Sequence, residues 1–227
     1  MQKLIEVQER RTSADIVFDH LHDAIVSLDL MPGAKISEAE IAAQFGVSRQ
    51  PVRDAFNRLS NIDLLVVRPQ KATKVKKFSL GAIEAARFVR LAVELEVLSR
   101  AATRWTGRLL PRFERNLADQ HVAAAAQDAA AFHRLDYAFH SLLCEAAEAD
   151  FATAIIARSK AQADRLCVLS LKTADSMREL VRDHETLLAM LQTGDKAGLG
   201  TTIRLHLSRL DATIEDVHRK HSDYFQD

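Results

Sequence analysis

Cysteine, glycine and proline are scarce in this chain of 227 residues. It contains two cysteines, seven glycines and four prolines, and aromatic residues make up only 6 % of it. The two thiols, Cys144 and Cys167, are too few for a disulfide framework and do not have the spacing of a CxxC site. Because glycine and proline mark most turns, their scarcity favours long helices with few interruptions.

Long hydrophobic runs are also missing. No apolar stretch reaches the roughly 18 to 20 residues that a membrane-spanning helix requires. The opening residues, Met1 to Arg11, are polar and charged, unlike a signal peptide. We therefore expect a cytoplasmic protein without a membrane partner. At 48 % hydrophobic residues the chain can bury a core, and its length suits two modest domains.

The formal net charge is +0, yet the charge is unevenly distributed. Between Ala43 and Phe78 there are eight lysines and arginines against two acidic residues, a local net charge of +6. Residues 79–227 hold 19 basic and 21 acidic residues, a net charge of −2. A basic excess confined to one segment indicates that this segment meets a polyanion such as DNA.

The basic segment has the pattern of a helix, a turn, a second helix and a two-stranded wing. Ser37 and Glu40 have the spacing of a capping box, so a helix should begin there. Gly46 should end that helix in a left-handed conformation, and Ser48 should open the next one. The runs 64–67 and 73–76 then predict two strands around a basic hairpin tip.

The second helix would expose its polar residues at the end that can enter a DNA major groove. Arginine and glutamine can read base edges, and a helix N-terminus with a hydroxyl group can hold phosphate. The residues predicted to contact DNA are Ser48, Arg49, Gln50, Arg53, Lys71 and Lys74. The alternative is that this charged face is simply solvated, as most are.

The rest of the chain is helical by periodicity. The predicted helices are 79–105, 111–126, 129–147, 151–172, 175–194 and 195–218. We therefore predict a mostly α protein with a winged helix-turn-helix in residues 1–77 and an antiparallel bundle of about six helices in residues 78–227.

Four residues of the predicted bundle could converge on a metal ion. Asp136 and His140 are four apart and share a helix face, while His184 and His206 lie on two later helices. One carboxylate and three imidazoles would suit Zn²⁺, Ni²⁺, Mn²⁺ or Fe²⁺. An Asp-x-x-x-His pair alone is commonly just an exposed pair, and His133, seven residues before His140, is either a competing ligand or a surface residue.

The stretch ISEAEIAAQFGVSRQPVRDAFNRL, followed by LLVVRPQKATKV, resembles the DNA-binding domain of the GntR family of bacterial transcription regulators. The family pattern around the recognition helix is matched by Ser48, Arg49, Pro51, Val52, Arg53 and Leu59. The resemblance implies a winged helix whose Arg49 and Arg53 contact DNA, with Ser48 and Gln50 beside them.

The second half resembles the FCD ligand-binding domain of the FadR-type branch of that family. The segments that carry the likeness are FVRLAVELEVLSRAA, LDYAFHSLLCEAA, DHETLLAML and RLHLSRL. In metal-binding members this implies ligands at Asp136, His140, His184 and His206, with zinc as the first expectation. Six predicted helices, rather than seven, would place the chain in the VanR-like subgroup.

These inferences predict a homodimeric regulator that binds a palindromic DNA operator and responds to a small carboxylate effector. The family resemblance implies that it acts as a repressor. Arg90 would anchor that acid, because a guanidinium binds carboxylates in a bidentate way, although it could instead only pair with Glu94 one turn later. Two alternatives stay open: a metal-dependent hydrolase, for which no HExxH motif is present, and a regulator whose metal is structural or is itself the signal.

Overall fold

The computed structural model describes residues 11–68, 72–170 and 174–226, without the side chains of residues 161–164, 167–170 and 174. The chain divides into two compact units. The first comprises Met1–Ile25 and Asp29–Lys76, and the second comprises Val26–Leu28 and Lys77–Asp227. None of the helices described is long and apolar enough to cross a membrane.

The first unit is a three-helix domain with a small sheet. Its elements in chain order are α1 (Ser13–Val26), β1 (Lys35–Ile36), α2 (Glu38–Phe45), α3 (Arg49–Asn61), β2 (Leu65–Val66) and β3 (Thr73–Val75). The strands are antiparallel in the order β1-β3-β2, so β3 forms the centre and pairs with both neighbours. The predicted two-stranded wing therefore has a third strand, contributed by the segment before α2.

Local signals explain where α2 and α3 begin and end. The Ser37 hydroxyl accepts a hydrogen bond from the Ala39 amide, which caps α2, and Gly46 ends that helix at φ 64°. Ser48 stands at the N-cap position of α3, but its hydroxyl makes no capping hydrogen bond. The inner face of α3 packs into the core of this unit through four buried residues: Val52, Ala55, Phe56 and Leu59.

The second unit is a bundle of long helices. Its elements are α4 (Leu80–Arg104), α5 (Leu110–Ala126), α6 (Ala129–Ala146), α7 (Phe151–Ser170), α8 (Ala174–Thr193), α9 (Lys196–Ser208), α10 (Asp211–Lys220) and a short 3-10 helix (Ser222–Tyr224). Helix α4 packs against α6, α7, α8 and α9, α5 packs against α6 and α8, and α8 packs against α9. The largest core cluster lies among these helices and includes Phe113, Phe139 and Leu187.

The helix count differs from the prediction in one place. Within the described residues, the segment predicted as one helix over 195–218 is divided at Arg209 and Leu210, so the unit has seven α-helices. Arg209 is held by Asp183 of α8, while Leu210 turns toward a separate cluster that contains Val217. Neither glycine nor proline marks this bend. The helix count therefore no longer supports the VanR-like subgroup.

Candidate functional site

Three helices of the second unit bring the predicted ligand set together. Helix α6 supplies Asp136 and His140, one turn apart, while α8 supplies His184 and α9 supplies His206. One ligand atom from each residue lies within 4.8 Å of the ligand atoms of the other three. All four residues are buried, with at most 6 % of their surface exposed. We call this set the Asp-His quartet.

Two of the quartet's histidines have an acceptor close to the outer ring nitrogen, although only that of His184 is in hydrogen-bonding alignment. The Nδ1 atom of His140 lies 2.7 Å from Oε2 of Glu94, on α4. The Nδ1 atom of His184 donates to Oε1 of Gln120, on α5, at 2.8 Å. Such partners fix the tautomer of a ligating imidazole and leave its Nε2 lone pair for a metal.

His206 has a comparable partner in a charged pair. Its Nδ1 lies 3.4 Å from Oδ2 of Asp183. Asp183 in turn accepts two hydrogen bonds from Arg209, at 2.6 and 2.9 Å. The Asp183 carboxylate thus links His206 to the bend between α9 and α10, and its pKa is lowered to about 2 by His206 and Arg209, against the effect of burial.

The nitrogen and oxygen atoms that face one another inside the quartet are better placed to bind a cation than to form hydrogen bonds with one another. His184 Nε2 lies 3.3 Å from Oδ1 of Asp136, and His140 Nε2 lies 3.9 Å from the same oxygen. The buried His184 Nε2 has no aligned hydrogen-bond partner. A buried lone pair without a donor is costly, and a divalent ion among one carboxylate and three imidazoles would satisfy it.

Two basic side chains border the quartet. Arg90 donates from Nε to Oε1 of Glu94 at 2.6 Å, and its Nη2 lies 3.2 Å from Nε2 of His140. Lys160, on α7, places its Nζ 2.8 Å from Oδ2 of Asp136 and is only 3 % exposed. Arg90 therefore pairs with Glu94 and also reaches the quartet, and its predicted role as an anchor for an acid stays a prediction.

The electrostatic setting favours the protonation states that bind metal. Burial lowers the pKa of His140, His184 and His206, because it disfavours the charged imidazolium. Burial alone would raise the pKa of Asp136, but the neighbouring Lys160 ammonium holds it well below its usual range. Neutral imidazoles and an ionised carboxylate are the forms that coordinate a divalent ion.

His133 and Cys144 lie outside the quartet. His133 is not among the four residues whose ligand atoms converge in the described part of the chain. Cys144 is fully buried in the main core cluster, and burial raises the pKa of its thiol, so it serves as a small core residue.

The predicted DNA-reading residues of the first unit share an exposed position at the start of α3. Ser48, Arg49, Gln50 and Arg53 are all exposed, opposite the buried stripe of the helix. Lys74, on the central strand β3, is exposed as well. Lys71 lies outside the described residues. A polar helix end beside a basic strand has the chemistry needed to meet phosphates and base edges.

Two of these side chains have partners within the unit. Arg53 donates to both carboxylate oxygens of Glu38, on α2, at 3.3 and 3.1 Å. Gln50 donates to Asp54 at 3.0 Å, one turn along α3. The Arg53 side chain is still 54 % exposed, so its guanidinium is oriented by Glu38 while it remains accessible.

Sequence reasoning did not identify the residues around the quartet. Lys160, Gln120 and Asp183 were not predicted, and Glu94 was expected only as a partner of Arg90. Asp183 directly precedes His184 in the sequence, which was a usable signal. Gln120 and Lys160 have no such marker, because only packing of α5 and α7 brings them to the quartet.

Known protein families match both units. The family described as "Bacterial regulatory proteins, gntR family" matches residues 13–75. The FCD domain matches residues 86–209, more than half of the chain. The two matches are consecutive, and the Asp-His quartet lies within the second.

Individual relatives agree with these matches. The chain is 31 % identical over 211 residues to the HTH-type transcriptional repressor RspR of Escherichia coli, covering 93 % of this chain and 92 % of that protein. It is 24 % identical over 198 residues to the gluconate operon transcriptional repressor of Bacillus subtilis, covering 85 % and 81 %. The solved structure of E. coli McbR/YncC resembles the fold with a TM-score of 0.79 at 20 % identity, covering 92 % and 100 %.

Proposed function

Because the chain belongs to the GntR family of bacterial transcription regulators and carries an FCD domain, we propose that a small organic acid controls its binding to DNA. It is a transcription regulator of a family that includes repressors, not an enzyme. In the proposal, the acid binds in the second unit at a divalent metal ion, with zinc as the first choice and nickel, manganese or iron as alternatives.

The observation that carries the metal part is the buried Asp-His quartet with its outer partners. Asp136, His140, His184 and His206 would hold the ion. When bound, the ion would supply a Lewis-acidic position for a carboxylate oxygen. Glu94 and Gln120 would keep two of the imidazoles in the ligating tautomer, as acceptors commonly do around metal-binding histidines.

Arg90 is the proposed anchor for the acid. A guanidinium only donates hydrogen bonds, so its Nη2 uses the lone pair on Nε2 of His140, 3.2 Å away. A metal ion would claim that same lone pair, and Nη2 would then donate to a carboxylate oxygen of the effector instead. The name of the gluconate operon repressor fits this class, since gluconate is a hydroxy acid.

The DNA part of the proposal assigns residues 1–77 to operator binding and residues 78–227 to effector binding and dimerisation. Helix α3 would enter the major groove with Ser48, Arg49, Gln50 and Arg53, and Lys71 and Lys74 would contact the backbone or minor groove from the wing. A homodimer would place two copies of α3 on a palindromic operator. The acid would bias the dimer between DNA-competent and incompetent states.

The test begins with the metal content of untagged protein purified without chelator. About one divalent ion per chain is expected, since one quartet holds one ion. Operator sequences are then selected from random duplex DNA, and binding is followed by fluorescence anisotropy. Organic acids should change the operator affinity of metal-loaded protein and leave chelator-treated protein unaffected. A response to metal or chelator alone, with no acid effective, would favour the metal as the signal.

A further inference from the structure

A chain of three hydrogen bonds runs from the backbone of α6 through α5 to the quartet. Asn116 donates from Nδ2 to the backbone carbonyl of Leu135 at 3.0 Å, and its Oδ1 accepts from Nε2 of Gln120 at 2.7 Å. Oε1 of Gln120 then accepts from Nδ1 of His184 at 2.8 Å. Asn116 and Gln120 lie one turn apart on α5 and are 7 % and 0 % exposed. The chain therefore begins at the residue before Asp136 and ends at His184, two of the proposed ligands.

The carbonyl of Leu135 sets the direction of all three hydrogen bonds. A backbone carbonyl can only accept, so the Asn116 atom that faces it is the amino nitrogen, and Oδ1 turns toward Gln120. Because Oδ1 also only accepts, Gln120 presents its amino group to Asn116 and its oxygen to His184. That oxygen requires a donor. The hydrogen of the His184 imidazole therefore resides on Nδ1, and Nε2 keeps its lone pair.

The opposite direction would oppose metal binding. If the Gln120 amide were reversed, its amino group would donate to Nδ1 of His184, and the imidazole hydrogen would move to Nε2. Nε2 lies 3.3 Å from Oδ1 of Asp136, so the imidazole would then donate toward that carboxylate. An Nε2–H group has no lone pair for a metal ion. The two directions therefore correspond to a metal-accepting and a metal-opposing tautomer of the same imidazole.

We propose that Asn116 is a positioning residue, which acts through Gln120 to keep His184 in its metal-accepting tautomer. This rests on the proposed function, in which His184 is a metal ligand. An amide has a fixed orientation when both its oxygen and its nitrogen have partners that accept only one direction, and Asn116 supplies that partner to Gln120. Without it, both orientations of Gln120 become accessible. The apparent metal affinity then falls with the fraction of the competent form.

Two substitutions of Asn116 separate this role from simple support of the fold. Asn116→Asp still offers Gln120 an oxygen that accepts, and if the new carboxyl is protonated its hydrogen can go to the Leu135 carbonyl, so the direction is kept. Asn116→Leu has a similar volume but offers no acceptor. We expect zinc affinity close to that of the wild type for Asn116→Asp and about tenfold weaker for Asn116→Leu, the lower end of the range for outer partners of ligating histidines. Zinc affinity that instead followed thermal stability in the two variants would overturn the inference.

The tautomer itself is measured in metal-free full-length protein. Long-range proton–nitrogen NMR spectra of histidine-labelled protein at mildly alkaline pH show which ring nitrogen carries the hydrogen, and His184→Ala assigns the signal. Wild type and Asn116→Asp should show His184 with the hydrogen on Nδ1, whereas Asn116→Leu should show a population with the hydrogen on Nε2. Asn116→Ala serves the same purpose if the leucine variant does not fold. An unchanged Nδ1–H form in these apolar variants would overturn the inference.

A rescue experiment tests whether Asn116 acts through Gln120. In Gln120→Glu both side-chain oxygens can accept from His184, so no neighbour is needed to orient them. Adding Asn116→Leu to Gln120→Glu should therefore leave zinc affinity unchanged, and a further tenfold loss would overturn the inference. Glu114→Leu, at an exposed residue of α5, is the control and should change neither zinc affinity nor the tautomer.

The two measurements also separate this inference from the proposed function. Wild-type protein that takes up no zinc refutes the proposed metal site, while the tautomer in metal-free protein still tests the effect of Asn116 on His184. A protein that binds zinc but whose His184 tautomer and zinc affinity do not depend on Asn116 refutes this inference alone.

Discussion

The two units carry their functional charges in opposite environments. In the first unit the side chain of Arg53 is 54 % exposed, and its partner Glu38 is 30 % exposed. In the second unit the side chains of His184 and Asp136 are 0 % and 8 % exposed. A DNA reader must present its charges to a large partner, whereas a small ligand can be enclosed. Charged residues of the same types are therefore solvent-accessible in the first unit and part of the buried interior in the second.

This difference in burial predicts whether a substitution changes only binding or also the stability of the fold. An exposed ion pair contributes about 0–1 kcal/mol to stability, so its members can change with little effect on folding. Removing one member of a buried charged pair costs about 3–5 kcal/mol, because its partner is left uncompensated. Substitutions in the first unit should alter DNA binding alone, and those around the quartet should alter ligand binding and stability together.

The largest effect is expected for His184→Ala. This change removes one of the four proposed ligands from a fully buried position, and it also leaves the amide oxygen of Gln120 without its donor. We expect metal affinity to fall by more than the roughly 10- to 100-fold that losing an outer partner costs. Effector response should be lost while DNA binding by the metal-free protein survives. Metal analysis and operator titration measure the two properties.

His121→Ala is the control for that variant. His121 lies on α5 of the same unit and its side chain is 55 % exposed, where it contacts Glu185. It should retain the full metal content. If His184→Ala also retained it, His184 would not be a ligand.

A smaller effect is expected for Asp183→Asn. The amide keeps the shape of the carboxylate but loses the charge that His206 and Arg209 share. We expect metal affinity to fall by about 10- to 100-fold, as for other outer partners of ligating histidines. Competition with a chromophoric chelator would measure it.

Glu179→Gln isolates the role of Asp183 from that of its arginine. Glu179 contacts the same guanidinium at 3.0 Å, but it is half exposed and does not contact His206. Its metal affinity should equal that of the wild type. Equal losses in the two variants would assign the effect to Arg209 rather than to the histidine.

In the first unit, Arg53→Ala should weaken operator binding by about 1–3 kcal/mol if Arg53 reads a base. Thermal unfolding should change little, because the Glu38 partner is also solvent-accessible. Arg58→Ala is the matched control, since Arg58 lies on the same helix but pairs with Asp15. Operator affinity equal to that of wild type would mean that Arg53 does not contact DNA.

Sequence reasoning predicted the first unit well because its signals are local. Gly46 and the polar start of α3 are neighbours in the chain. Gly46 indicates a helix end because it favours the left-handed cap, and the polar residues indicate an exposed helix start. The strand Lys35–Ile36 is too short to show a periodicity of its own, and only the turn before it, Leu30 to Gly33, indicates it. The pairing of Arg53 with Glu38 was missed because it spans two helices that only the turn brings together.

In the second unit, sequence reasoning predicted that Asp136, His140, His184 and His206 converge, but it did not predict the residues around them. Asp136 and His140 are four residues apart, which places them on one face of a helix. Histidine is a common metal ligand, so His184 and His206 could be identified as candidates. Lys160 and Gln120 look like ordinary helix residues, and their role depends on how α7 and α5 pack. The bend at Arg209 has the same cause, since contacts with α8 rather than a helix-breaking residue produce it.

The smallest effect is expected for the exposed ion pair of Asp15 with Arg58, which tests whether exposed pairs of the first unit contribute to stability. Hydrogen bonds from Thr12 and Arg58 lower the pKa of this carboxyl to about 2. Because the folded-state pKa is depressed, the pairing favours the folded unit above the unfolded pKa of about 3.8 and is lost as the pH falls toward 2. In Arg58→Ala, a carbon-detected NMR titration should show the pKa moving up toward its ordinary value, with Thr12 still bound. Thermal unfolding at neutral pH should hardly change, since water screens the pair. A large loss of stability in this variant would mean that exposed pairs also hold the first unit together, and the contrast between the two units would then fail.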